Sequence, residues 1–159
     1  MSGSEVCQIE PSKDYGLNEF REDLFNRMLY PSGVEGKKIC FLFTDTHVLE
    51  ESFLEEINNL INTGEIEISR ENLEKLYKDI KDACEKEKFQ GDEMEFYLQR
   101  VRANLNIVLA MSPVGEALRT RIRNFPSFVN NCTINWVDTW PEEALRSIAR
   151  KTLDEELKL

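Results

Sequence analysis

Lys37-Lys38-Ile39-Cys40-Phe41-Leu42-Phe43-Thr44-Asp45-Thr46 is the stretch that decides how this chain folds. The apolar run from Ile39 to Phe43 is too short for an ordinary helix, and it stops abruptly in polar residues. Such a run predicts a strand over 38–43, buried on both faces as in a parallel sheet covered by helices. In open α/β sheets, chemistry collects in the crevice beyond the carboxyl ends of the strands. Asp45 stands at such an end.

Downstream, apolar residues take up helical spacing. Phe53, Leu54, Ile57, Leu60 and Ile61 form one stripe, and Gly64 supplies a left-handed stop. Residues 70–88 repeat the pattern with Leu73, Leu76, Tyr77, Ile80 and Cys84 inward and Ser69 as cap. Asp92 and Glu95 open a third helix, whose buried side is Met94, Leu98, Val101 and Leu105. A second apolar run, Ile107 to Met111, ends in Ser112-Pro113 and leads to a short basic helix carrying Arg119, Arg121 and Arg123. Residues 133–136 read as a final strand. Thr139-Trp140-Pro141-Glu142 has capping-box spacing for a last helix, with Ala144, Leu145, Ile148 and Ala149 inward.

Upstream, Val6 to Ile9 is a weak strand stopped by Pro11, and residues 1–5 read as a disordered start. Asn18 to Tyr30 has helical spacing, with Asn18 as cap and Pro31 as terminator. Strands separated by helices imply right-handed crossovers and a mostly parallel sheet. The class is α/β, in one domain spanning residues 6–159.

Composition narrows the function. With 159 residues the chain is long enough for one sizeable core. A net charge of −10 argues against tracking nucleic-acid phosphates or an anionic membrane surface. No stretch approaches the roughly 18 apolar residues of a membrane span, and the N-terminus lacks a signal-peptide pattern. The four cysteines, Cys7, Cys40, Cys84 and Cys132, are too scattered for a zinc cluster or a dense disulfide framework, which predicts a reducing compartment.

The chemistry-bearing candidates gather at strand ends. Asp45 with Thr46 on one strand, and Ser112 on another, suit a nucleoside triphosphatase: the Asp for a Mg²⁺ shell, the Ser for sensing a γ-phosphate. Equally, a strand-terminal Asp caps a turn, and Ser-Pro is a usual helix entry. His47 near Asp45 evokes a hydrolytic or metal pair but lacks a third ligand or a nucleophile. Arg119 and Arg123 share a helix face, with Arg121 turned away, and the bland reading is an ordinary charged surface.

The strings Lys38 to Thr46 and Glu51-Ser52-Phe53-Leu54-Glu55-Glu56-Ile57-Asn58-Asn59-Leu60 closely resemble the fourth AAA+ module of dynein heavy chains, the axonemal kinds above all. Ala110 to Glu116, Phe125 to Asn130, Cys132 to Trp136 and Trp140-Pro141 continue the likeness, as do Gln8-Ile9-Glu10 and Tyr15 to Leu24. The likeness runs over about residues 6–150. It implies an incomplete AAA+ three-layer sandwich, from the Walker B strand to the sensor region. It puts Asp45 at the Walker B aspartate and Ser112 at the first sensor. It also sets Arg119, Arg121 and Arg123 near where an inter-module arginine can act.

The departures are as telling. Thr46 replaces the glutamate that orients water in an active site, and Ser112 stands where many sensors use asparagine. Asn131 stands where some dyneins place an arginine, and Ile66-Glu67-Ile68-Ser69 replaces the family's Pro-Asn-Leu-Phe. No G-x-x-x-x-G-K-[ST] phosphate loop occurs in these residues. The family's strand beside that loop would lie between the strands ending at Met111 and Trp136, so those edges should close on each other or stay exposed. The resemblance therefore implies no catalytic residue and no metal site in this stretch alone. ATP or ADP with Mg²⁺ belongs to the full module. Partners implied are neighbouring ring modules, the microtubule through the whole motor, and other axonemal dynein subunits in a cilium or flagellum. A rival reading is an ATP-independent interaction domain, and a third a metal-dependent hydrolase on Asp45 and His47.

Overall fold

The apolar run forms strand β2 (Ile39–Thr44) in the computed structural model, which describes residues 3–137 and 140–156. β2 lies at the centre of a parallel sheet of order β1-β2-β3, with β1 at Glu5–Cys7 and β3 at Leu105–Ala110. The register sets Cys7 beside Phe41, and Ile39, Phe41 and Phe43 beside Leu105, Ile107 and Leu109. Met1 and Ser2 lie outside the described residues. Of the expected disordered start, Glu5 is already paired with Ile39.

Side chains alternate across a strand, so β2 has two different faces. Ile39, Phe41 and Phe43 are fully buried, whereas Cys40, Leu42 and Thr44 between them are only half-buried. The same alternation continues sideways. Val6, beside Cys40, is 65% exposed, and Val108, beside Leu42, is 44% exposed. Expected burial on both faces therefore holds for one face only.

That face carries the core. Helix α1 (Leu17–Leu24) continues through a π-helical turn, Phe25–Leu29, into α2 (Tyr30–Gly33). Phe20, Leu24, Phe25, Met28 and Leu29 are buried along it. Phe20 stacks on Phe53 of α3 (Glu51–Thr63) at 4.3 Å between ring centroids. Each such side chain removed from water contributes on the order of 1.5–3 kcal/mol. Pro31 does not end the helix as expected. Wider π spacing before it leaves room for the proline ring and absorbs its missing N–H. Asn18 is not the cap either; Gly16 holds that position, and its N–H donates to the Glu19 carboxylate at 3.1 Å.

Beyond β2 the expected helices form. α3 ends at Gly64 with φ +81°, the left-handed value that a Cβ would penalise. In α4 (Arg70–Glu87) Ser69 caps the Asn72 N–H, and in α5 (Glu93–Asn104) Asp92 caps that of Glu95. Leu76, Ile80 and Cys84 turn inward, but Tyr77 is 48% exposed, one position off the stripe. In α5 the most buried residues are Phe96, Tyr97 and Val101, not Met94 and Leu98. Tyr97 packs so tightly on Gly33 that a Cβ there would meet its ring at 2.2 Å.

After β3 come α6 (Ala117–Asn124), α7 (Ser127–Asn130) and α8 (Glu142–Glu156). Residues 133–136 form no strand, and among the described residues no strand pairs with them. The outer edge of β3 is thus unpaired among the described residues, which is the exposed outcome expected for it. Thr139 of the capping box lies outside the described residues. Leu145 and Ile148 of α8 are 54% and 46% exposed, so the stripe expected inward faces out.

Candidate functional site

Thr44 and Ala110 are register partners, so the chain leaves β2 and β3 at the same edge of the sheet. Asp45 opens a 3-10 turn, Asp45–His47, there; Ser112 lies in the segment that follows β3. The two meet directly. The Ser112 backbone N–H donates to Asp45 Oδ2 at 2.6 Å. Asp45 Oδ1 accepts from, and is ion-paired with, the Arg121 guanidinium.

The turn is locked from within. His47 Nδ1 accepts the Thr44 N–H at 3.1 Å, and its ring lies 5.7 Å from that of Phe43. An Nδ1 that accepts an N–H is unprotonated, so the imidazole is neutral with its proton on Nε2. Burial pushes its pKa below the ordinary value. Thr44 and Thr46 hydroxyls share a hydrogen bond of 2.7 Å, which leaves Thr46 at the rim with no basic group of its own. Among the described residues no group of three His, Cys, Asp or Glu side chains is placed to hold a metal ion.

Ser112 does not cap a helix. Its Oγ accepts the Val114 N–H at 3.3 Å, closing a short turn, and α6 starts only at Ala117. Arg121, expected on the face opposite Arg119 and Arg123, lies there and is the arginine that faces the site, with its side chain 17% exposed. Arg119 pairs with Glu116 on the surface at 73% exposure, and Arg123 is also exposed. α7 anchors this corner: Ser127 Oγ donates to Asn62 Oδ1 at 2.8 Å, and Asn131 Nδ2 to the same oxygen at 2.7 Å. Asn131 therefore clips α7 to α3.

A Mg²⁺ ion needs several oxygen ligands in near-octahedral array. Asp45 does not offer them as arranged. One carboxylate oxygen carries a backbone N–H, and the other is in contact with a guanidinium whose charge repels a dication. What the site does chemically is tie three segments together through one carboxylate.

The model of the family described as P-loop containing dynein motor region D4 matches residues 1–159. The chain belongs to this dynein motor region family. Dynein axonemal heavy chain 1 of Mus musculus is 42% identical over 160 residues, covering 98% of this chain and 4% of the relative. Dynein axonemal heavy chain 6 of Homo sapiens is 43% identical over 155 residues, covering 93% and 4%. Dynein-1-alpha heavy chain of the flagellar inner arm I1 complex of Chlamydomonas reinhardtii is 42% identical over 160 residues, covering 98% and 3%. The D4-family chain thus spans about 4% of the length of these relatives. Its parallel sheet and surrounding helices fit a partial AAA+ fold. No helix among the described residues is long and apolar enough to cross a membrane.

Proposed function

We propose that this chain is part of the fourth AAA+ module of an axonemal dynein heavy chain. In that place it contributes to microtubule-based movement of cilia or flagella as a structural or regulatory segment of the motor ring. The observation that carries the reading is its likeness to axonemal heavy chains over 98% of its length. Asp45 and Ser112, side by side at the carboxyl edge of the sheet, occupy the Walker B and first-sensor places of that module. Thr46 follows Asp45 where a water-orienting carboxylate is needed, which supports the absence of hydrolysis by this stretch. ATP or ADP with Mg²⁺ is the cofactor of the whole module; no cofactor is proposed for these residues by themselves. Neighbouring ring modules and other axonemal subunits are the partners.

An antibody raised against this chain should label axonemes and follow heavy-chain-sized species through salt extraction. The purified chain should show no ATP turnover above a heat-denatured control. Label confined to another compartment, or turnover that Asp45→Asn abolishes, overturns the reading.

A second reading, an ATP-independent interaction domain for dynein or axonemal partners, is favoured by one observation. Val108 on β3, and Trp136, Trp140, Leu145 and Ile148 after it, leave apolar surface in the open. Arg119 and Arg123, exposed on α6, remain the side chains able to reach a neighbouring module.

A further inference from the structure

The Asp45 site already holds a cation, and it belongs to the chain. We infer that Arg121 is the resident counter-ion of the Asp45 carboxylate, an internal latch that excludes a divalent ion from this seat. The pair joins positions 76 residues apart in sequence. Its guanidinium arrives from α6, while the second carboxylate oxygen is held by the Ser112 N–H at 2.6 Å. One carboxylate therefore fastens the tip of β2, the segment after β3, and α6. Asp45 is 37% and Arg121 17% exposed, so the pair is shielded from water more than a surface bridge such as Arg119–Glu116, at 73% and 78%. Partly desolvated, it interacts more strongly and is screened less by salt.

The neighbouring His47 does not compete: it is neutral, with its Nδ1 turned to the Thr44 N–H. Glu116, which could draw on the arginines of α6, is engaged by Arg119. A dication approaching Asp45 must expel the guanidinium or sit against it. The latch does not depend on the dynein reading, since it stands on the ion pair alone; ring placement can fail with the latch intact, and the reverse.

The test uses the whole chain with Mn²⁺ as probe, following paramagnetic broadening of the residue-45 and residue-112 amide resonances. In the wild type, broadening at residue 45 should be no stronger than at exposed surface carboxylates. Arg121→Met should raise Mn²⁺ affinity at residue 45 by about tenfold or more, since a positive charge in contact is removed. Adding Asp45→Asn should return it to the wild-type level. Asp45→Asn alone should leave Mn²⁺ binding within about twofold while lowering Tm by roughly 3–6 °C, as loss of a shielded pair requires. Arg119→Met, on the surface, should leave Tm unchanged. Equal Mn²⁺ affinity in wild type and Arg121→Met overturns the latch. If Arg121→Met does not fold, Asp45→Asn decides: a tenfold loss of Mn²⁺ binding overturns it, and unchanged binding with a lower Tm supports it.

Discussion

His47 is the chain's single histidine, which makes its titration readable without assignment of others. Its Nδ1 accepts the Thr44 N–H, so protonation breaks that bond and sets two N–H groups against each other. Burial depresses its pKa in the folded state below the ordinary 6.5. The sign follows. Above pH 6.5 the imidazole is neutral in folded and unfolded chains alike, and its contribution is fully present. As pH falls below 6.5 the unfolded chain takes up the proton first, and stability drops until the folded pKa is passed. Wild type should therefore lose stability in urea melts as pH falls from 7 to 5, more steeply than a variant without this imidazole. His47→Asn, whose side-chain oxygen accepts the same bond, should flatten that slope. Equal slopes in both proteins would discard the tautomer assignment. Nothing in the sequence told which way this histidine faced. Its placement beside Asp45 evoked a hydrolytic pair, and the backbone hydrogen bond that claims it is visible only once the turn is built.

Elements were legible where local chemistry decides them. Ser69, Asp92 and Gly64 act at helix ends as their side chains, or the lack of one, dictate. What tertiary context decides was not legible. Which face of α6 meets Asp45 is set by how the helix packs, and Arg121 meets it while Arg119 and Arg123 are exposed. Residues 133–136 have strand-like composition but no partner to pair with. α8 was read as inward from its stripe, yet Leu145, Ile148 and Leu153 are exposed. A helix whose apolar stripe is exposed gains little from tertiary burial, and a helix of this length is marginal without it. Amides of residues 145–154 should exchange with deuterium at least about a hundredfold faster, relative to their intrinsic rates, than those of α3 and β2. Protection of α8 equal to that of α3 would mean the apolar stripe is covered in solution.

For the molecule as a whole, one asymmetry governs behaviour. The sheet's core face is sealed by aromatic packing, while the other shows Val6 and Val108 to solvent beside half-buried Cys40 and Leu42. β3 adds an edge unpaired among the described residues, next to that apolar strip. Exposed edges and apolar patches promote association, and the net charge of −10 opposes it by repulsion. The balance should tip with ionic strength, because added salt screens the repulsion but not the apolar contact. Light scattering should therefore rise with salt at fixed protein concentration, and 8-anilinonaphthalene-1-sulfonate should fluoresce with the native chain. Val108→Lys places a charge on the open face, opposite the one that carries the packed aromatics, so urea stability should change by no more than about 0.5 kcal/mol. Dye fluorescence and salt-induced scattering should both fall. If Val108→Lys lowers stability by more than about 2 kcal/mol instead, the face is part of a packed core and its openness is wrong.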